Sequence, residues 1–409
     1  MSAPATSELR NVLMLTYDFP PCRTPGAAVR AVKFVRYLPE FGWRPTVLCR
    51  ADRPDAGVGS DGVVAVPTPF PERLSYQAAA WGWAACALRV ARRLLLGGRF
   101  DLLYASGPPF PHVLAAAHLS RARSIPLVVD FRDAWSLDPF EDGVWPKRVA
   151  KRALCRWAYP TFERRIFDAA DAIVLNTPSM AAAYGPSVRE GGAAHALLPN
   201  GFDSADFGPP VGRWAATDPV TFLHCGRFGG VAGRSADTLL HALGRAAETG
   251  RRVRLRCLGD ASATLERAVR RHGVTELVEL APAIPHDGAI GEIRRADVLV
   301  LFQAGGRGPV TPVAGKTFEY VRSGRPVLGI VPSGDNHALV EQHATIHRLA
   351  SPSDPAAVAA AMCELADGHP WPTREPGPGF AMYERRTLTA RLAELFDDAR
   401  TRHGGVAFA

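Results

Sequence analysis

The fold is decided by NVLMLTY at residues 11–17 together with DFPPCRTPGA, the turn-rich stretch that follows at 18–27. The first stretch is a short apolar run, which is typical of a strand buried on both faces. Apolar residues then recur at helical spacing between Val29 and Leu38, and a second apolar run covers Pro45–Cys49. Strand, loop, helix and strand in this order predict the βαβ unit of a parallel sheet.

The same alternation continues through the rest of the chain. Further strands are expected at 63–66, 102–105, 127–129 and 172–175 and then at 221–225, 253–258, 278–280, 298–302 and 326–330. Helices are expected at 237–247, 262–271, 354–366 and 381–400. Residues 197–219 are rich in Pro, Gly and Asp, as linkers are. We therefore expect an α/β protein of two doubly wound, parallel-sheet domains, residues 1–196 and 220–375, followed by a terminal segment at 376–409. Ligands of such sheets bind beyond the carboxyl ends of the strands, which predicts a site between the domains.

The composition excludes several classes of protein. Hydrophobic residues make up 47% of the 409 residues and charged residues 22%, which excludes intrinsic disorder. The seven cysteines form no CxxC pair, so neither a disulfide framework nor a zinc ribbon is expected. No apolar run reaches the ~18 residues of a membrane span, and the first residues lack the pattern of a signal peptide, which predicts a cytoplasmic protein.

Several familiar motifs do not occur in the sequence. No GxGxxG follows the first predicted strand, which argues against a nicotinamide or flavin dehydrogenase. The segment GPVTPVAGKT (308–317) has six residues between its glycines, where a P-loop has four. There is also no DxD pair, no HExxH and no GxSxG, so neither a DxD-type metal-dependent sugar transferase nor a common hydrolase is indicated.

Glycines and basic residues follow two predicted strands, where a phosphate can bind. Gly26 follows the first strand, and GRFGG (226–230), with Arg234 beyond it, follows the first strand of the second half. A glycine turn lets the backbone approach a phosphate, and a helix N-terminus supplies N–H donors. Arg227 and Arg234 could then neutralise a diphosphate. The alternative is a tight strand–helix turn with two solvent-facing arginines.

Lys316 and Glu319 lie three residues apart in GKTFEY (315–320), which places them on one face of a helical turn. Two interpretations stay open at this point. The two side chains form an ordinary ion pair within the helix, or Lys316 binds a phosphate while Glu319 accepts hydrogen bonds from ribose hydroxyls.

The chain resembles the retaining nucleotide-sugar glycosyltransferases of family 4, which have the GT-B fold. The resemblance rests on YDFPP (17–21), GAAVRAVKFVRYLPEFGWRPTVL (26–48), SGPPFPH (106–112), PLVVDFRDAW (126–135), ADAIVLNTPSM (170–180), LPNGFD (198–203), HCGRFGG (224–230) and ADVLVLFQ…PVAGKTFEYVRSGRPVLG (296–329). These motifs occur in order over nearly the whole chain. The resemblance implies two Rossmann-like domains that face each other across a cleft, with the last helix crossing back to the N-terminal domain.

The resemblance also implies roles for individual residues. It places Gly26 near the donor's phosphate or sugar, Arg227 and Arg234 on the diphosphate, and Lys316 as a further cation. Glu319 matches the second glutamate of the family's E-x7-E element, which holds the ribose. Cations and helix N-termini would stabilise the departing nucleotide diphosphate, so no metal ion and no cofactor beyond the nucleotide-sugar donor is expected.

Other positions depart from the family pattern. The first glutamate of E-x7-E would fall at Thr311, so its contact with the donor sugar is lost or passes to neighbouring residues. Many relatives have a histidine after the fourth strand, where this chain has Arg132 and Asp133. Asp133 could orient or deprotonate the acceptor hydroxyl. Asp130 is either a cleft residue or the partner of Arg132 in a structural ion pair, and His112 is expected at a helix start near the cleft.

One basic, aromatic segment bears on location. Residues 143–166 (GVWPKRVAKRALCRWAYPTFERRI) combine seven Lys and Arg residues with Trp145 and Trp157, and residues 74–98 add Trp81 and Trp83 beside further arginines. Such stretches are typical of a peripheral contact with an anionic membrane surface. The alternative is a helix that packs its tryptophans on the sheet while its arginines face water. No nucleic-acid-binding module is recognisable, so no nucleic-acid partner is expected.

Three functions therefore compete. The first is a glycosyltransferase that acts on a lipid-linked or cell-envelope glycan at the inner face of the membrane, and the second is one that modifies a small natural product. The third, from another class, is a GT-B-like sugar-nucleotide epimerase or a catalytically silent sugar-binding protein.

Overall fold

The computed structural model of the chain describes residues 9–20, 28–51, 62–72, 75–138, 147–208, 218–226, 232–259, 261–303, 306 and 308–406. The strands of the first sheet are β1 (Arg10–Thr16), β2 (Trp43–Ala51), β3 (Val63–Pro67), β4 (Leu102–Gly107), β5 (Leu127–Phe131), β6 (Ala172–Leu175) and β7 (Ala194–Leu197). Those of the second are β8 (Val220–Cys225), β9 (Val253–Leu258), β10 (Val278–Ala281), β11 (Val298–Phe302), β12 (Val327–Ile330) and β13 (His347–Ala350).

Both sheets are parallel throughout, which confirms the predicted fold class. The strand orders are β3-β2-β1-β4-β5-β6-β7 and β10-β9-β8-β11-β12-β13. In each order the direction of strand addition reverses beside the first strand of the sheet, which makes a doubly wound arrangement with a crevice at its carboxyl edge. Apolar side chains from both faces of each sheet form the cores.

Helices connect the strands and cover both faces of each sheet. In the N-terminal part they are α1 (Val29–Tyr37), α2 (Tyr76–Gly97), α3 (Pro111–Arg123), α4 (Lys147–Ala153), α5 (Tyr159–Phe167), α6 (Pro178–Glu190) and α7 (Ser204–Phe207). A π-helical turn, Leu154–Ala158, joins α4 to α5. In the C-terminal part they are α8 (Ala232–Glu248), α9 (Ala263–Arg271), α10 (His286–Arg295), α11 (Gly315–Ser323), α12 (Asp335–His343), α13 (Pro355–Asp367) and α14 (Arg385–Val406).

The last helix, α14, packs on the first sheet and not on the second. Leu388, Leu392 and Phe396 are fully buried in the core of the N-terminal sheet, and the Phe396 ring meets those of Trp43 and Tyr104 at centroid distances of 5.2 and 5.7 Å. The N-terminal domain is therefore completed by the C-terminal end of the chain.

The chain passes between the domains twice, and the two passages lie side by side. The Phe202 N–H donates to the Tyr383 carbonyl at 3.1 Å, and the Arg385 N–H donates to the Phe202 carbonyl at 2.8 Å. A Cβ at Gly201 would lie 2.0 Å from the Tyr383 carbonyl oxygen, so only glycine permits this approach.

Candidate active site

A cavity of about 720 Å³ opens between the carboxyl ends of the two sheets. Asp18, Pro108, Arg132 and Asp133 line it from the loops after β1, β4 and β5. From the C-terminal domain it is lined by Cys225, Gly226, His286, Ala314, Gly315, Lys316 and Glu319. This is the crevice in which open α/β sheets bind their ligands.

Lys316, in the first turn of α11, reaches back to the end of β8. Its Nζ donates to the Cys225 carbonyl at 2.7 Å and lies 3.2 Å from Nε2 of His224. Gly226 has φ +105°, and a Cβ there would lie 3.3 Å from the Lys316 Nζ. Burial lowers the pKa of Lys316 to about 8. The ammonium group is therefore fixed at the cleft wall with only part of its hydrogen-bonding capacity used, as a phosphate-binding lysine requires.

Glu319 lies one helical turn after Lys316 but pairs with another residue. Its Oε1 is 2.7 Å from Nε2 of His286, at the start of α10, and Nδ1 of that ring is 3.9 Å from Asp206 Oδ2. The hydrogen bond to Glu319 is the main cause that raises the pKa of His286. Among the described residues no ion pair joins Lys316 to Glu319. The structure therefore does not show the ordinary ion pair within the helix that was one of the two interpretations.

Asp133 and Arg132 lie on the N-terminal side of the cleft. Asp133 is exposed to the cleft and makes no hydrogen bond or ion pair with a described residue. The surrounding protein partly removes the Asp133 carboxyl group from water, which raises its pKa, and the positive charge of Arg132 acts in the opposite direction. Arg132 donates from Nη2 to the Pro108 carbonyl at 2.8 Å, which fixes the loop after β4. Both residues line the cleft, and only Arg132 is anchored to the loop after β4.

Asp130 and His112 are not cleft residues, which corrects the prediction for both. Asp130 is fully buried and accepts two hydrogen bonds from Arg30, at 2.8 and 3.1 Å, and one from Tyr104 at 2.7 Å. Its ion-pair partner is therefore Arg30 and not Arg132. His112 is fully buried beside Trp83, with Nε2 3.0 Å from the Ser106 carbonyl, and burial lowers its pKa to about 3. It is a neutral core histidine, because the first turn of α3, in which it lies as predicted, directs its side chain inward.

Three predicted donor-binding residues fall outside what the structure describes. Gly26 and Arg227 lie outside the described residues, and Arg234 lies in α8 with a side chain that is not described. Their roles stay predictions from the sequence. Thr311, at the place of the family's first glutamate, contacts Ser179 of the opposite domain through its backbone N–H, at 2.8 Å from the serine oxygen.

A second cavity, of about 630 Å³, adjoins the first. Both are lined by Tyr76, Pro108, Arg132 and Asp133. The rest of the lining is largely apolar and aromatic, and includes Trp81, Phe110, Pro111, Trp135, Leu154, Tyr159, Met180, Val310 and Pro312. Trp135 is held by stacking on Phe110 and Tyr159, at centroid distances of 4.7 and 4.8 Å. A charged cleft and an apolar chamber thus meet at Asp133.

Sequence reasoning missed several charged residues of the cleft, among them His286 and Arg385. His286 follows β10 in APAIPHD (281–287), and its position after a strand was a usable signal. Arg385 lines the same cavity from the start of α14, although it lies 66 positions after Glu319 in the chain. Only the return of the last helix to the N-terminal domain brings Arg385 there, and no local pattern indicates it.

Comparisons with known proteins agree with this architecture. Residues 25–201 match the family described as glycosyl transferase 4-like domain, and residues 219–367 match glycosyl transferases group 1. A search among curated proteins gives no match.

Solved structures share the fold at low identity. Sucrose-phosphate synthase from Thermosynechococcus elongatus has a TM-score of 0.67 at 15% identity, over 97% of this chain and 98% of that chain. WaaG, a glycosyltransferase involved in lipopolysaccharide biosynthesis, has 0.58 at 16% over 95% of each chain. A putative UDP-N-acetylglucosamine 2-epimerase from Listeria monocytogenes has 0.56 at 12%, over 96% of this chain and 94% of that chain. With both domains matched in order, the chain is a glycosyltransferase of the GT-B fold that resembles family 4, with a glycosyl transferase 4-like domain followed by a glycosyl transferases group 1 domain.

Proposed function

We propose that this glycosyltransferase moves a sugar from a nucleotide-diphosphate-sugar to a hydroxyl group on an apolar, lipid-linked acceptor, with retention of the anomeric configuration and without a metal ion. The observation that carries the proposal is the meeting of the two cavities at Asp133. The cleft, with Lys316 in its wall, suits a diphosphate, and the aromatic chamber suits the apolar body of an acceptor.

The charges of the cleft support the donor part of the proposal. Lys316 stabilises the diphosphate as the bond from the anomeric carbon to the phosphate oxygen breaks. Glu319, oriented by His286, accepts hydrogen bonds from the ribose. The acceptor oxygen bonds to the same face of the anomeric carbon, and its proton passes to the leaving phosphate oxygen. Asp133 orients that hydroxyl from the chamber side.

The surface beside the apolar chamber supports a lipid-linked acceptor and a role in the cell envelope. Trp157 is 73% exposed, and Val149 and Leu154 are also exposed on the same α4–α5 segment, which carries the exposed Arg152 and Arg156 as well. Of the aromatic residues in the neighbouring 74–98 segment, Trp83 is in the core, where its Nε1 donates to the Val66 carbonyl at 3.1 Å. Surfaces that bind anionic lipid combine exposed apolar groups, which enter the membrane interface, with basic groups, which attract the lipid headgroups. No described helix has the length and apolarity that a bilayer span requires.

A transfer assay tests the reaction. The purified protein is incubated in EDTA with a panel of nucleotide-sugars and either polyprenyl phosphate-linked sugars or water-soluble aromatic glycosides. We expect transfer from one donor to a lipid-linked acceptor, with the anomeric configuration of the donor kept in the product by NMR. Transfer only when Mg²⁺ replaces EDTA, inversion at the anomeric carbon, or transfer only to the soluble glycosides would each contradict the corresponding part of the proposal.

Co-sedimentation with vesicles tests the membrane part. We expect binding to phosphatidylglycerol vesicles that weakens with salt and is lost in the double variant Arg152→Glu/Arg156→Glu. The matched control is Arg267→Glu/Arg270→Glu, a double charge reversal on the exposed face of α9. Equal loss in both double variants would show a non-specific effect of net charge and would refute a defined membrane face.

A further inference from the structure

Arg385 is a charged group in the cleft without a partner for its side chain in the part of the chain that the structure describes. The residue is only 4% exposed and lines the cavity that holds Lys316 and Glu319. Its guanidinium makes no hydrogen bond or ion pair with any described residue, and Nη1 is buried without an acceptor. Only its backbone is engaged, through the Phe202 and Thr389 contacts that begin α14.

The neighbouring Arg30 shows what a structural arginine looks like in this protein. Arg30 is 3% exposed, and its guanidinium donates to both oxygens of Asp130 and to the carbonyls of Leu198 and Pro199. Two arginines of nearly equal burial thus line one cavity, one bonded through all three of its nitrogens and the other without an acceptor among the described residues. Burial lowers the pKa of Arg385 to about 9, and the positive charge of Arg30 acts in the same direction.

A buried charge without a partner is strongly unfavourable, so its retention in a cavity indicates a ligand of opposite charge. We propose that Arg385 is a phosphate-binding residue of the cleft, whose guanidinium receives phosphate oxygens of a substrate. The planar guanidinium suits two such oxygens at once. The inference rests on the proposed function for the identity of the substrate, because the phosphate belongs either to the donor's diphosphate or to a phosphorylated acceptor.

The proposal has a consequence that a structural arginine would not share. Removing a structural arginine from the interior destabilises the fold, whereas removing an uncompensated charge relieves a cost. In Arg385→Gln we therefore expect a higher melting temperature without ligand and a smaller rise with ligand. The adjacent Arg386→Gln is the matched control, since Arg386 is exposed and pairs with Glu40 at 2.6 Å on the surface.

The test is a thermal-shift and calorimetric titration of the full chain with inorganic pyrophosphate, UDP, GDP, ADP and the matching nucleosides. We expect Arg385→Gln to weaken pyrophosphate about 10-fold or more, the usual effect of one charge-assisted hydrogen bond, with nucleosides unaffected. If the affinity for one nucleoside diphosphate falls by the same factor as that for pyrophosphate, the phosphate belongs to the donor. If only the affinity for pyrophosphate falls and the nucleoside diphosphate binds as before, the phosphate belongs to the acceptor.

Other outcomes would separate this inference from the proposed function. If no nucleoside diphosphate binds the wild-type protein but pyrophosphate binds and depends on Arg385, the proposed donor is wrong and the phosphate site stands. If Arg385→Gln lowers the melting temperature and leaves every affinity within twofold of wild type, Arg385 is structural and the inference is overturned.

Discussion

The hydroxyl of Ser179, on the N-terminal domain, accepts a hydrogen bond from the Thr311 N–H at 2.8 Å and lies 3.2 Å from the Thr311 hydroxyl on the C-terminal domain. Asp335 completes the contact, because its N–H donates to Thr311 Oγ1 at 2.9 Å and its Oδ2 accepts from the Ser179 N–H at 3.0 Å. Thr311, at the position of the first glutamate of the family 4 pattern, therefore joins the two domains in this protein.

Ser179→Ala removes the shared hydroxyl of this contact. We expect the free energy of unfolding to fall by about 1 kcal/mol, the usual worth of such hydrogen bonds, and the domains to open. Chemical denaturation measures the first effect, and the radius of gyration from small-angle X-ray scattering measures the second. Ser187→Ala, on the exposed side of the same helix, is the control. A radius of gyration equal to that of the control would contradict the role of Ser179 in holding the domains together.

Lys316 should make donor binding depend on pH. Since its pKa is about 8, the ammonium form dominates below that value and is lost above it. We expect the affinity for a nucleoside diphosphate to be nearly constant up to about pH 7, to fall to about half near pH 8, and then to fall by up to roughly tenfold per pH unit. Calorimetric titration of wild-type protein and Lys316→Met checks this. The variant should bind weakly with a flat profile, and an equal slope in both proteins would show that another group titrates.

Gly226→Ala should affect binding through Lys316. The new Cβ lies 3.3 Å from the Lys316 Nζ, and the backbone φ of +105° is unfavourable for alanine. Gly250→Ala is a matched control, because Gly250 also has a positive φ of +84° but no atom within 4 Å of an added Cβ. Both variants should lose about 1 kcal/mol of stability to backbone strain. Only Gly226→Ala should weaken the nucleoside diphosphate, and equal binding by both would exclude displacement of Lys316.

The His286–Glu319 pair predicts a pH effect on stability. Because Glu319 raises the pKa of His286 above its unfolded value of 6.5, the pair stabilises the fold fully below pH 6.5. That contribution is lost as the pH rises through the raised pKa. NMR titration of the His286 ring should show a lower pKa in Glu319→Gln than in wild-type protein. An unchanged pKa would mean that Asp206, and not Glu319, holds the imidazolium.

Asp133→Asn separates chemistry from binding. If Asp133 orients the acceptor hydroxyl, kcat should fall about 100-fold or more, while the Kd for the nucleoside diphosphate stays within twofold. Steady-state kinetics and calorimetry give the two values. Asp138→Asn, which alters a carboxylate of the apolar chamber paired with Lys151 at 2.8 Å, should change mainly the KM of the acceptor. A kcat loss of the same size in both variants would remove the distinction.

The sequence predicted most of the strands but missed one edge strand of each sheet. The predictions at Ala172–Leu175, Val253–Leu258 and Val298–Phe302 match the observed strands, because the first and last runs are wholly apolar and the middle one alternates apolar residues with arginines. The strands Ala194–Leu197 and His347–Ala350 were missed. Both lie at the edge of a sheet, where half-exposed strands tolerate polar residues and give no continuous apolar signal.

For the site, the sequence indicated groups that follow strands and failed for groups brought in by packing. Lys316, Glu319 and Asp133 lie in the cleft as the motifs indicated. Asp130 was misplaced because alternation along β5 turns its side chain inward to Arg30, two residues before the chain enters the cleft. Arg385 was missed because its position depends on a helix that returns from the far end of the chain.

The side-by-side passages at Phe202 and Tyr383 have a consequence for how such enzymes can be recombined. The residues between the two passages form an insertion in the N-terminal domain, because α14, the last helix of that domain, follows them in the chain. The two ends of that insertion are hydrogen-bonded neighbours, so a donor module from another enzyme with equally close ends could replace it through two adjacent junctions. A chimera with a single junction, in the linker, would instead pair the N-terminal sheet of the host with the last helix of the other enzyme. The core position that Phe396 fills would then be occupied by an unrelated side chain.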